Sequence, residues 1–195
     1  MLQDNPISPS LFADFQSGDE EAMCEIFRRY HKRLIAFVRI YTRNREAAEE
    51  VTQEVFLEAY RQRMEIRSAS GLRSWLFTVA KRKALRLTGR TDGKLFVAFD
   101  DEALEEFPNG RSAEQVRHFQ IKQTGKFIQE ALAELKPRDR ELVTLRYFGG
   151  LQVKEISEIL DIPMGSIGVF LSRSLEKIRS SLENRGIHPE DLVDP

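Results

Sequence analysis

The chain has 195 residues, 41% of them hydrophobic and 31% charged, which is typical of a globular protein with one or two helical cores. One cysteine, Cys24, excludes an internal disulfide, and the three histidines are too scattered along the chain to indicate a metal site. The formal net charge of −1 argues against a general nucleic-acid coat protein, so any contact with DNA must come from local clusters of charge.

Helical periodicity predicts four helices in the first ninety residues. Ser8, which a proline follows, predicts the cap of a short helix, and Asp19 predicts the start of a longer one. Asn44 can cap a third helix, in which apolar residues recur at helical spacing. A polar loop then precedes a fourth helix with Trp75, a residue that we expect in the core. Four helices of this length can close around one core.

Two runs of charge follow these helices. Residues 81–90 contain five bases and no acid, and residues 100–106 contain five acids and no base. The basic run can neutralise phosphates and the acidic run would be repelled by them, although two solvated surfaces explain the same pattern. Glycines, a proline and an asparagine interrupt helical periodicity between residues 91 and 111. We therefore predict a flexible acidic linker at 91–111.

Helical periodicity resumes at Ser112, which has capping-box spacing to Gln115. Pro137 is well placed to open another helix, which the two glycines at 149 and 150 end. The sequence thus predicts an all-α protein with two small helical domains joined by the linker. The predicted boundaries are 1–90 for the first domain, 112–182 for the second and 183–195 for a short polar tail.

Residues 152–174 have the pattern of a helix-turn-helix. Two short stretches with apolar inner faces are separated by Asp161, Ile162 and Pro163. Asp161 stands where the turn needs a left-handed residue, a conformation that aspartate tolerates better than most residues do. In a helix-turn-helix the second helix enters the major groove of DNA. An ordinary helical hairpin would show the same pattern.

The run LKPRDRELVTLRYFGGLQVKEISEILDIPMGSI, residues 135–167, resembles the C-terminal domain of bacterial sigma factors of the extracytoplasmic-function group. The resemblance implies that this domain binds the upstream, minus-thirty-five promoter element. It implies four DNA contacts: Ser166, Gly168, Val169 and Arg173. Gly168 and Val169 stand where the family has basic and polar residues, so we expect weak or unusual contacts with the upstream element.

The pieces SGDEEAM, AAEEVTQEVFLEAY and SWLFTVAKRKA resemble the N-terminal domain of the same family. Four residues of the middle piece share one helical face: Glu50, Gln53, Glu54 and Leu57. Carboxylates, an amide and one apolar side chain suit docking on a basic helix. The resemblance implies that this face binds the clamp helices of the largest subunit of core RNA polymerase. The alternative is a solvated acidic stripe.

The resemblance also implies that the next loop and the basic helix recognise the downstream, minus-ten element and promote melting. The implied residues are Ile66, Arg67, Lys81, Arg82, Lys83 and Arg86. Ile66 stands where the family often has an aromatic residue, and Arg82 where it commonly has an asparagine. Asparagine both donates and accepts hydrogen bonds whereas arginine only donates, so the preferred bases stay open.

Three functions are compatible with these patterns. The first is a sigma factor that binds core polymerase and directs promoter-specific initiation. The second is a stand-alone helix-turn-helix regulator, and the third is a sigma-like decoy with a decayed recognition helix. We expect no enzymatic activity, cofactor or metal, because the chain lacks a Walker glycine loop, a metal-ligand cluster and a Ser/His/Asp arrangement. We expect Cys24, on an amphipathic helix, to be packed rather than nucleophilic.

The expected partners are core RNA polymerase, promoter DNA and, from the resemblance alone, an anti-sigma protein that covers the polymerase-binding faces. No apolar run approaches the roughly 20 residues that span a bilayer. The first ten residues lack the basic and then apolar pattern of a secretion signal. We therefore expect a cytoplasmic protein with no membrane insertion.

Overall fold

The computed structural model describes residues 7–42, 44–89 and 125–187, and all regular secondary structure in these ranges is helical. This confirms the predicted all-α class. The helices are α1 (Pro9–Ser17), α2 (Glu20–Arg39), α3 (Arg45–Arg61), α4 (Ala69–Thr88), α5 (125–134), α6 (Pro137–Val143), α7 (Val153–Leu160) and α8 (Met164–Glu183), with a π-helical turn (Thr144–Phe148) after α6. The predicted linker at 91–111 and the predicted helix start at Ser112 and Gln115 lie outside the described residues.

The predicted helix starts are confirmed by their capping hydrogen bonds. The side chains of Ser8, Asp19 and Asn44 each accept a hydrogen bond from the backbone three residues on, at 3.2, 2.7 and 3.0 Å. Such a cap stabilises a helix by about 1 kcal/mol. The fourth helix begins at Ala69, with Ser68 as its cap.

Helices α1–α4, the N-terminal set, pack around large apolar side chains that are fully buried. Phe37 on α2 and Phe77 on α4 meet edge to face, with ring centroids 5.3 Å apart. Burial of a phenylalanine side chain contributes roughly 1.5–3 kcal/mol, so contacts of this kind hold α2 against α4. Trp75 is partly buried and packs against this core, as predicted.

Helices α5–α8, the C-terminal set, contain the predicted helix-turn-helix. Asp161 adopts the left-handed conformation between α7 and α8, with φ 52° and ψ 50°. Ile162 is buried, and its carbonyl accepts a 2.6 Å hydrogen bond from the Ser157 hydroxyl, which fixes the turn. The break at 161–163 is therefore confirmed.

The end of α8 extends into the predicted polar tail at 183–195. The helix continues to Glu183, and beyond it Arg185 forms ion pairs with Glu130 and Glu134, at 3.3 and 2.8 Å. These contacts attach the chain after α8 to α5. The predicted boundary at 182 therefore lies within α8, and residues 188–195 lie outside the described ranges.

The two sets of helices contact each other. The sequence predicted only a flexible linker between them and no such contact. α4 packs on α7, α2 packs on the π-helical turn, and one apolar core runs through both sets. Gly149 lies at this junction, where a Cβ would come within 3.2 Å of the Phe77 ring and 2.6 Å of the Leu145 carbonyl oxygen. The contact with the Leu145 carbonyl leaves no room for a Cβ, so the C-terminal set requires glycine here, and the Phe77 ring packs closely against it from the N-terminal set.

Candidate polymerase and nucleic-acid interface

The structure places the four predicted polymerase-binding residues on one exposed face of α3. Glu50, Gln53, Glu54 and Leu57, here called the α3 face, are all exposed, and Leu57 is 57% exposed. The opposite side of α3 is held in the core by four buried residues: Ala48, Val51, Val55 and Ala59. The α3 face is therefore rigidly presented, with an exposed leucine among carboxylates.

Two further exposed apolar residues extend the α3 face beyond the prediction. Tyr60 is 36% exposed and Met64, just past the end of the helix, is 72% exposed. Tyr60 follows Leu57 by three residues on α3, a helical spacing that could have revealed it in the sequence, whereas Met64 lies in the turn after the helix. The two residues add exposed apolar surface at the C-terminal end of α3.

Two predicted minus-ten cations on α4 are already paired with acids of α3. The Lys83 Nζ lies 2.8 Å from Glu54 and 3.0 Å from Glu58, and Arg82 lies 2.6 Å from Glu58. Burial by itself would raise the pKa of Glu58, but Lys83 and Arg82 lower it below its ordinary value. The hydrogen bond to Glu54 raises the pKa of Lys83. These groups are thus charged near neutral pH and pair within the chain.

Glu58, which the sequence analysis missed, is the centre of this network. It lies one helical turn after Glu54 and on the side of α3 that faces α4. The spacing of the two acids was visible in the sequence, but the packing of α3 against α4 was not. The network joins the α3 face to the basic helix.

The other predicted minus-ten residues lie in different environments. Lys81 pairs with Glu141 of the C-terminal set at 2.8 Å, whereas Arg67 and Arg86 are exposed. The prediction for Ile66 needs correction, because its side chain is only 4% exposed and belongs to the core. A resemblance by position in the loop carries no information on burial. In this conformation Ile66 cannot contact a base.

A cavity of about 500 Å³ opens beside this loop. The cavity is lined by residues at the start of α4 and by residues of α1 and α2, and it extends to Gln152 at the start of α7. Arg67 stands at the loop that borders it, and Phe12 and Tyr30 supply apolar surface. The arrangement places cationic and aromatic side chains around a space at the junction of the two sets.

The predicted minus-thirty-five residues lie at the start of α8. Gly168, Val169 and Arg173 are exposed and Ser166 is half-buried, while Ile167 turns into the core. A Cβ on Gly168 would meet open space, so this glycine is not required by packing within the described residues. Met164, 55% exposed, extends a surface that is small and apolar rather than basic.

Other chemical features are few in the ranges that the structure describes. Within them no group of three or more His, Cys, Asp or Glu side chains could hold a metal ion. No helix in the described part of the chain is long and apolar enough to cross a bilayer. Cys24 is exposed, so the prediction of a packed thiol was wrong. Its position on the outer face of α2 explains the exposure.

Two family models match the chain, one over most of each set of helices. Sigma-70 region 2 matches residues 26–92, and Sigma-70 region 4 matches residues 128–178. Together they cover more than half of the chain, one match containing the α3 face and the basic helix, the other the helix-turn-helix. The chain belongs to the sigma-70 family, as a sigma factor of the extracytoplasmic-function type. It directs RNA polymerase in promoter-specific initiation of transcription.

Curated relatives of this sigma factor cover nearly its whole length. It is 25% identical over 180 residues to the RNA polymerase sigma-H factor of Pseudomonas aeruginosa, and 26% identical over 174 residues to the ECF RNA polymerase sigma-E factor of Escherichia coli K12. Each match covers 86% of this chain and 90% of the relative. The expected family resemblance is thereby confirmed along both sets of helices.

Two solved structures share the fold of this sigma factor. CnrH, in complex with the cytosolic domain of CnrY, is 18% identical with a TM-score of 0.60, covering 90% of this chain and 97% of CnrH. The sigma factor RpoE of Bartonella quintana, in complex with the anti-sigma factor NepR, is 21% identical with a TM-score of 0.55 and covers 82% of this chain and 96% of RpoE. The likeness confirms the helical architecture.

Proposed function

We propose that this sigma factor docks on core RNA polymerase through the α3 face, extended by Tyr60 and Met64. The observation that carries the proposal is the exposure of Leu57 among acids on a helix held rigidly by its buried side. An exposed leucine with carboxylates toward one end of its face fits a basic, amphipathic helix, because the leucine is desolvated in the contact while the charges steer the encounter.

The loop before α4 and the basic side of α4 are proposed to hold the minus-ten element. Arg67 and Arg86 are exposed, whereas Arg82 and Lys83 must exchange their carboxylate contacts for phosphates. Arg82 and Glu54 are exposed, where ion pairs contribute only about 0–1 kcal/mol, whereas Lys83 and Glu58 are half-buried and cost more to separate. Glu54 belongs both to the α3 face and to the Lys83 pair. Docking on polymerase would thus remove one of the two carboxylates that hold Lys83, and Glu58 would remain as the other.

The start of α8 is proposed to read the minus-thirty-five element by shape and apolar contact. Val169 and Met164 can contact the C5-methyl group of thymine, and Ser166 can hydrogen-bond to several bases. Gly168 permits close approach of the helix to the groove. Arg173 is placed to contact a phosphate or a guanine. A preference for thymine-rich upstream elements follows.

The remaining assignments concern the cellular context of the sigma factor. We propose that it acts in the cytoplasm, performs no chemistry itself and is inhibited by an anti-sigma protein that covers its polymerase-binding surfaces. Support for the inhibitor comes from the solved relatives, two of which were captured with the cytosolic domain of CnrY and with NepR. The α3 face is the surface that such an inhibitor would cover.

Binding to purified core polymerase tests the α3 proposal. Leu57→Asp places a further charge where we propose a desolvated contact, and we expect the affinity for polymerase to fall at least about tenfold. Leu87→Asp is the matched control, since Leu87 is 53% exposed on α4 and lies outside the α3 face. Equal binding by the two variants would overturn docking through α3. Wild-type chain that binds polymerase but starts no transcripts would identify a decoy.

A further inference from the structure

A buried ion pair joins the two sets of helices. On α4, Arg73 presents its guanidinium edge to the Glu155 carboxylate on α7, with Nε to Oε1 and Nη2 to Oε2 both at 2.8 Å. The side chains are only 8% and 9% exposed, and Nη1 of Arg73 also donates to the Gly150 carbonyl at 3.3 Å. A two-pronged pair with this geometry is stronger and more directional than a single contact.

A second charged contact lies elsewhere on the same junction. Glu141 on α6 accepts a hydrogen bond from the Tyr41 hydroxyl and pairs with Lys81 on α4 at 2.8 Å. Burial, and then Glu141, raises the pKa of Tyr41 well above its ordinary value, so the phenol remains a donor. The close approach of Phe77 to Gly149 adds apolar contact at this junction. Three independent contacts therefore hold the sets together.

This closed arrangement is incompatible with simultaneous binding of two promoter elements. By their names the elements are centred about 25 base pairs apart, which at 3.4 Å per pair is about 85 Å along the duplex. In the closed chain α4 packs on α7 and α7 packs on α8, and α4 and α8, with 20 residues each, are only about 30 Å long. The helices that are proposed to read the two elements must separate before both can be occupied.

We propose that the Arg73–Glu155 pair and the Lys81–Glu141–Tyr41 contacts form an intramolecular latch that keeps the free sigma factor closed. This proposal rests on the proposed function in one respect: opening of the latch allows the chain to bind both promoter elements. Lys81 belongs both to the latch and to the proposed minus-ten surface. Phosphate therefore competes with Glu141 for this cation, and promoter DNA helps to open the molecule.

The chemistry of the latch suggests variants that open it without unfolding either set. Glu155 also accepts a 2.7 Å hydrogen bond from the Gln152 N–H, as the capping box of α7. Glutamine serves in that box as well, so Glu155→Gln retains the cap but loses the charge that Arg73 binds. Glu141→Gln likewise retains an acceptor for Tyr41. A buried guanidinium left without its carboxylate favours separation into water.

Single-molecule energy transfer on the full chain tests the latch, with dyes on Ser70→Cys and Lys154→Cys in a Cys24→Ser background. Both dye sites are exposed, one on α4 and one on α7. The unlatched chain, carrying Glu141→Gln and Glu155→Gln, should have an open-to-closed ratio at least about tenfold above wild type. Glu183→Gln is the matched control, because its ion pair with Arg179 lies within α8.

Each outcome decides the proposal. A wild-type chain that is as open as the unlatched variant, or an unlatched variant that stays as closed as wild type, overturns the latch. If circular dichroism shows that the double variant has lost helix, Lys81→Met replaces it as the test. This substitution alters a partly exposed side chain, and it should raise the open fraction severalfold. The measurement contains neither polymerase nor DNA, so failure of the proposed binding surfaces leaves its result unchanged.

Discussion

The two helices that are proposed to meet DNA differ in how they are prepared for it. α4 is strongly basic, but acids of the same chain bind three of its cations, Lys81, Arg82 and Lys83. α8 presents Gly168 and Val169 at its start, a surface with little charge to neutralise. Affinity from α4 is therefore set by competition between phosphates and carboxylates, whereas affinity from α8 is set by shape and apolar contact. Charge counted along a sequence overestimates the charge that is available.

Neutralising the basic side of α4 should have the largest effect on DNA binding. It tests whether affinity from α4 depends on charge more strongly than affinity from α8 does. We expect the quadruple variant Lys81→Gln, Arg82→Gln, Lys83→Gln, Arg86→Gln to weaken promoter binding by the holoenzyme by orders of magnitude. The slope of log affinity against log salt should flatten by at most about 0.9 per lost cation. Arg173→Gln on α8 should change the slope by no more than about one unit. An unchanged slope in the quadruple variant would show that α4 does not lie on the DNA backbone.

Substitution of Gly168 tests whether α8 binds DNA by shape and apolar contact. Because a Cβ there meets open space, Gly168→Ala should stabilise α8 of the free chain by about 0.5–1 kcal/mol, measured by thermal unfolding. If the DNA groove packs on this glycine, promoter affinity of the holoenzyme falls in the same variant. Gly186→Ala is the control, since its φ of +75° makes alanine strained and should lower stability. Tighter promoter binding by Gly168→Ala would contradict close approach of DNA.

Removing one acid should increase the affinity of α4 for DNA. Glu58→Gln weakens the contacts that hold Arg82 and Lys83, so holoenzyme should bind promoter DNA about two- to fivefold more tightly. Glu46→Gln, an exposed glutamate on the first turn of α3, is the control with no expected change. Equal affinity of the two variants would mean that the ion pairs do not compete with phosphate.

The same variant has a smaller consequence for stability against pH. The pKa of Glu58 is lowered in the folded chain, so its ionised form contributes stability that is fully present above the ordinary glutamate pKa of about 4.3. That stability is lost as the pH falls through the lowered, folded-state pKa. The difference in unfolding temperature between wild type and Glu58→Gln should therefore shrink between pH 6 and pH 3. A constant difference would show that the pairing of Glu58 does not depend on its charge.

Local features of this sigma factor were predictable because they depend on neighbouring residues. Asp161 marked the turn between α7 and α8, and the capping residues Ser8, Asp19 and Asn44 marked three helix starts. Helical spacing placed the four residues of the α3 face together, whereas their role came from the family resemblance. In each case the physical cause lies within a few residues of the position predicted.

Contacts between distant segments could not be predicted in this way. Arg73 and Glu155 are 82 residues apart, and nothing in their spacing pairs them. The burial of Ile66 likewise depends on how the loop folds back on α1, where Gln16 donates to its carbonyl at 3.0 Å. The latch and the correction at Ile66 share this cause: both depend on tertiary packing.

Transcription in vitro from the genomic DNA of the source organism tests the central claim most directly. The reaction contains purified core polymerase with or without the sigma factor, and the 5′ ends of the transcripts are sequenced. We predict 5′ ends that depend on the sigma factor, share two upstream motifs about 25 base pairs apart and disappear with Leu57→Asp. Binding to polymerase with no such 5′ ends, or ends that Leu57→Asp leaves unchanged, would contradict the account.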